Sequence, residues 1–130
     1  MSRWTVAQYE KHSLKMGVKP IKIIKSDPIG LAHIKSILEK LNIEYECEHR
    51  FDATRKYRFD IAIKDFRLGI EYEGLCSAKS RHTTLTGYTN DTSKYNLSQC
   101  LGWRILRYTL LNYQQFEQDI LKIIKHINLI

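Results

Sequence analysis

The stretch Arg58-Phe59-Asp60-Ile61-Ala62-Ile63-Lys64-Asp65-Phe66-Arg67-Leu68-Gly69-Ile70-Glu71-Tyr72-Glu73-Gly74 organises the chain. Ile61 and Ile63 alternate with Asp60 and Ala62, and Leu68 and Ile70 alternate with Gly69, Glu71 and Glu73. Two short strands joined by a tight polar turn at Asp65-Phe66 account for that pattern. A strand's side-chain period of two puts Glu71 and Glu73 on one face. A hairpin brings Asp60 close to them. Three carboxylates gathered at a sheet end repel one another and lose hydration. A hard divalent cation with oxygen ligands, Mg²⁺ or Mn²⁺, relieves both costs. A solvated outer face of a hairpin fits the same spacing equally well.

Working outward, Ile43, Tyr45, Cys47, His49 and Phe51 alternate with charged residues and predict a strand over 43–52. Upstream, Leu31, Ile34, Leu38 and Leu41, with Ile37 beside them, recur at helical spacing. Asp27 is placed to cap that helix, Pro28 suits its first turn, and Asn42 ends it. His33 and Glu39 read as surface positions. Downstream, residues 74–90 are rich in Gly, Ser and Thr and predict a long polar loop. Thr89 or Asn90 caps the next helix, with Asp91 in its first turn, and Gly102 stops it. Trp103 to Tyr108 is a compact strand, parallel to its neighbour because a helical crossover precedes it. Asn112 and Gln115 have capping-box spacing, and Phe116, Ile120, Ile123, Ile124 and Ile127 mark a final helix. The order is α-β-β-β-α-β-α, an α/β arrangement of the α+β type, with a mixed sheet between helices on both faces.

At 130 residues the chain suits one core, with residues 1–26 as a basic N-terminal segment of partly helical pattern and 27–130 as a single domain. That segment holds Arg3, Lys11, Lys15, Lys19, Lys22 and Lys25 against the single acid Glu10. The net charge of +7 and a pI near 9.4 favour an anionic partner, of which nucleic acid is the commonest. Cys47, Cys76 and Cys100 are odd in number and lack zinc-ligand spacing, which argues against a disulfide framework or a structural zinc and fits a reducing cytoplasm. No apolar run has the length of a membrane span. No nucleophile elbow is present, so acyl transfer has no support.

The pieces Glu48-x-x-Phe51, Arg58-Phe59-Asp60, Glu71-x-Glu73-Gly74, Arg81-His82, Gly87-Tyr88, Asp91-x-x-Lys94-Tyr95-Asn96 and Gly102-Trp103-Arg104-Ile105-Leu106-Arg107, in this order, resemble the PD-(D/E)XK nuclease superfamily. The match covers about residues 44 to 109 and is nearest a small phage-type endonuclease branch related to very-short-patch-repair-like nucleases. The resemblance implies a restriction-endonuclease-like core and a Mg²⁺- or Mn²⁺-dependent endonuclease that hydrolyses DNA phosphodiesters, on branched or repair-type DNA. It implies Asp60 and Glu71 as metal ligands. The superfamily's lysine, two residues after the second acid, is replaced here by Glu73, which either adds a metal ligand or leaves the lysine's role to Lys94. Glu48, His82 and Asp91 would support the site, and Arg58, Lys79, Arg81 and His82 would contact phosphate. The resemblance requires no nucleotide cofactor. It implies a cytoplasmic protein, in the host cytoplasm if phage-encoded, and a homodimer for double-strand cutting. A DNA-binding module that lost catalysis is the alternative, and a protein-interaction module is the more distant one.

Overall fold

In a computed structural model, residues 26–74 and 84–128 are described. They form, in order, helix α1 (Ile29–Lys40), strands β1 (Glu46–Asp52), β2 (Tyr57–Ile63) and β3 (Leu68–Tyr72), helix α2 (Leu85–Cys100), strand β4 (Arg104–Tyr108) and helix α3 (Phe116–Asn128). This is the α-β-β-β-α-β-α order, an α+β fold around a mixed sheet. The sheet order is β1-β2-β3-β4. The first three strands form an antiparallel meander, and β4 runs parallel to β3, as a helical crossover requires.

Alternation along the central strands divides the core. Ile61, Ile63, Leu68 and Ile70 are fully buried against Ile34 and Leu38 of α1 and Phe116 and Ile120 of α3. The opposite face holds a smaller cluster of Ala62 and Trp103, which Phe59 joins out of step with Ile61 and Ile63. Gly69 lies on that second face, directly under the Phe59 ring. A Cβ there would stand 2.7 Å from three ring carbons. The hairpin between β2 and β3 turns through Lys64–Phe66, and Arg67 takes a left-handed conformation (φ 50°) before Leu68 pairs with Ile63.

Several local expectations need correction. Asp27 does not cap α1. Its carboxylate pairs with Lys35 at 2.6 Å, and Pro28 occupies the N-cap position, its carbonyl accepting the Ala32 amide. Strand β1 begins at Glu46, not at residue 43, and Tyr45 instead donates its hydroxyl to Glu39. His33 packs edge-on against the Tyr113 ring. Residues 75–83 lie outside the described residues, and the polar loop expected over 74–90 does not reach residue 90, because α2 starts at Leu85. Thr84 is its N-cap and accepts the Gly87 amide at 3.0 Å. Thr89 and Asn90 therefore lie within the helix, and Asp91 lies beyond its first turn. Gly87 and the threonines are poor helix formers, and their hydroxyls compete for backbone groups. Here Thr89 and Thr92 return their hydroxyls to the carbonyls of Leu85 and Thr89. Asn112 and Gln115 make no capping box. Asn112 Oδ1 accepts the Thr109 amide, and a 3₁₀ turn over Tyr113–Gln115 leads into α3.

Residues 1–25, which contain nearly all of the basic N-terminal segment, lie outside the described residues, as do Lys79, Arg81 and His82. Gly69→Ala should destabilise the protein by about 1–3 kcal/mol in a urea titration, because the Phe59 ring is fully buried and has little room to move. Adding Phe59→Leu, which removes the ring from that contact, should recover part of the loss.

Candidate active site

The site forms where β2 and β3 part. Their ladder pairs Ile63 with Leu68, Ala62 with Gly69 and Ile61 with Ile70. Two residues further along β3, the Tyr72 amide donates to Asp60 Oδ2 at 2.8 Å. A side-chain carboxylate thus stands in the position of a ladder acceptor, which fixes its orientation. β4 continues alongside β3 through Glu71↔Arg107 and Tyr72↔Tyr108. Beside Asp60, Glu48 sits in β1 with φ 53°, in the left-handed region that a glutamate rarely occupies.

These departures from regular pairing open a cleft of about 520 Å³. Glu48, Arg58, Asp60, Glu71, Asp91 and Lys94 all line it, together with Lys56, Tyr57 and Asn90. Six of the sequence-predicted site residues, drawn from four different elements, thus share one cavity. Lys94 Nζ donates directly to Glu71 Oε1. Asp91, three residues earlier on α2, reaches the same cleft and is only 8% exposed.

Glu71 is 7% exposed. Burial is the main force on its carboxyl group, whose pKa it pushes up to about 7. The Lys94 ammonium pulls in the other direction, and the neighbouring Asp60 carboxylate adds to the rise. An acid with these properties calls for a positive partner as soon as it ionises.

Glu73 is placed differently. Its Oε1 accepts from Arg107 Nε at 2.5 Å, from Arg107 Nη2, and from the Tyr95 hydroxyl at 3.3 Å. The Arg107 guanidinium lies 4.1 Å from the centre of the Tyr95 ring. Glu73 is not among the cleft's lining residues. Among the described residues no group of three or more His, Cys, Asp or Glu side chains is arranged to hold a metal ion. Of the three acids that the strand period gathers, Asp60 and Glu71 line the cleft, while Glu73 is engaged by Arg107 and Tyr95. Tyr95 and Arg107 are the polar partners that sequence reasoning missed. Alternation along β4 places Arg107 on the face of Ile105, but only the β3–β4 register brings it level with Glu71.

No protein-family model matches this chain, and no curated protein does. Among solved structures, the fold is similar to that of the catalytic domain of the homing endonuclease I-Bth0305I, with a TM-score of 0.58 and 21% sequence identity. The likeness covers 78% of this chain and 99% of that domain. At that identity it bears on the fold. No described helix is long and apolar enough to cross a membrane.

The Glu71 carboxyl carbon, followed by NMR, should titrate with a midpoint near 7 in the metal-free protein. Its charged fraction then rises as pH increases from 6 to 8. Lys94→Met removes the attraction that favours the carboxylate, so the midpoint should move higher still. A wild-type midpoint below 5 would contradict the assigned burial.

Proposed function

We propose that this chain is a metal-dependent DNA endonuclease of the PD-(D/E)XK type. The observation that carries the reading is the juxtaposition of Asp60, Glu71 and Lys94 in an open cleft at the parting of two strands. The similarity of the fold to a homing endonuclease catalytic domain supports it.

The donor set suits Mg²⁺ or Mn²⁺. Both ions take oxygen ligands, and Mg²⁺ is commonly held by one or two carboxylates, with waters and substrate phosphate filling the remaining positions. Asp60 and Glu71 would supply those carboxylates. When bound, the ion supplies Lewis acidity at the phosphate and lowers the pKa of water. The protein's own groups do the rest. The Tyr72 amide fixes Asp60 in place, and burial keeps bulk water from Glu71. Lys94 holds a positive charge at Glu71 before substrate arrives and stabilises charge that develops on the phosphate. Lys56 and Arg58 line the same cleft and bring cationic groups to a DNA backbone. Glu48 and Asp91 support the shell around the pair. Lys79, Arg81 and His82 remain phosphate contacts in this reading. One such site cuts one strand, so double-strand or junction cutting takes two copies.

The test is cleavage of labelled linear, flapped and four-way-junction DNA with Mg²⁺ or Mn²⁺. Asp60→Asn and Glu71→Gln should each reduce the rate by at least about a hundredfold while DNA affinity stays within a few-fold of wild type. The preferred substrate identifies the job. Wild-type protein that binds DNA yet cuts none of these with either ion would refute the reading and leave a DNA-binding module on the same fold.

A further inference from the structure

Helix α2 has an unusual task. It must deliver a lysine to a buried carboxylate, yet it has little apolar surface with which to hold its own position. Of its sixteen residues only Asp91 and Ser98 are buried. A lysine on such a helix loses rotamer freedom on pairing and has water within reach of its long stem. Something other than Lys94 must therefore fix the register of the helix against the sheet.

The candidates sit next to it in sequence and in space. Tyr95, the next residue, donates its hydroxyl to Glu73. Glu73 lies two residues after Glu71, one past the end of β3, and its own amide donates to the Tyr108 carbonyl, which extends the β3–β4 pairing. Arg107 stands opposite Glu71 in the parallel register, donates to Glu73 and covers the Tyr95 ring. The carboxylate, the guanidinium and the phenol thus close a three-way contact across β3, β4 and α2. Consecutive helix residues are 100° apart around the axis and 1.5 Å apart along it. Holding Tyr95 at Glu73 therefore determines where the Lys94 stem begins.

We infer that Glu73, Arg107 and Tyr95 are positioning residues that clamp α2 to the β3–β4 edge and thereby hold the Lys94 ammonium on Glu71. This rests on the reading of Asp60, Glu71 and Lys94 as the reactive centre. Glu73 itself touches neither substrate nor metal. It acts on the neighbouring carboxylate at one remove, through the helix.

Two measurements test the clamp. The first is a double-mutant cycle on single-turnover DNA cleavage. Glu73→Gln, which keeps the side-chain shape, should slow cleavage about tenfold with DNA affinity unchanged, and Lys94→Met more severely. The double variant should be no slower than Lys94→Met alone, because both act through one ammonium group. Fully additive losses would overturn the inference. The second measurement does not depend on cleavage. Lys94 is paired and largely sheltered, so an N-hydroxysuccinimide ester should acylate it slowly. In Glu73→Gln and in Arg107→Gln its modification, followed by mass spectrometry, should quicken several-fold while Lys35 and Lys40 keep their rates. Unchanged Lys94 reactivity overturns the clamp and leaves the nuclease reading intact. A reactive Lys94 in a protein that never cuts DNA upholds the clamp and removes the nuclease reading.

Discussion

A nearly buried carboxylate on a central strand sets the terms for this structure. Taking an ionised carboxylate out of water costs several kcal/mol unless a partner compensates. Among the described residues Lys94 donates to Glu71, from a position 23 residues further along the chain. Deleting either partner would leave the other in a low-dielectric site. The pair gains little stability as such, since a well-packed apolar pair could fill the space as well. What the pair does is hold Glu71, with the Lys94 ammonium on it, beside a second acid, Asp60.

That second acid depends on the sheet losing its regularity at the right place. If β2 and β3 stayed paired beyond Ile61 and Ile70, the Tyr72 amide would have a backbone partner and Asp60 would be free to swing. Here the amide takes the carboxylate. The left-handed conformation of Glu48 on the neighbouring strand belongs to the same disturbance, and both residues line the cleft. Unfavourable backbone geometry of this kind survives where its surroundings enforce it, and it clusters at functional sites.

The sequence carries much of this fold because strands and helices have different periods. Alternation along Ile61–Ile63 and Leu68–Ile70, and the three-to-four spacing of Ile34, Leu38, Phe116 and Ile120, are local signals, and they place the core correctly. The site was legible to the extent that it follows from the same alternation. Asp60 and Glu71, singled out by alternation, and Lys94, singled out by the resemblance, line one cleft. Glu73 shows where that reasoning stops. Sharing a strand face with Glu71 did not give it the same neighbours, because two residues along a strand are roughly 7 Å apart, enough to place one acid in the cleft and the other against Arg107 and Tyr95. The start of α2 was hidden for another reason. Gly87 and a run of threonines argue against helix on propensity, and the start is marked by one capping hydroxyl, that of Thr84, which accepts the Gly87 amide.

The parallel pairing of β3 with β4 also bears on how the chain reaches this state. The meander of β1, β2 and β3 joins neighbours through short turns, so its closure entropy is small. The contacts that complete the cleft are non-local. Lys94 and Glu71 are 23 positions apart, and Arg107 and Glu73 are 34 apart. Loop closure must be met before such contacts return any energy, so they fall late in folding. The Lys94–Glu71 and Arg107–Glu73 pairs therefore complete the cleft only once distant parts of the chain have met. A chain folded only as far as the meander would hold Asp60 and Glu71 without the Lys94 ammonium that offsets the burial of Glu71.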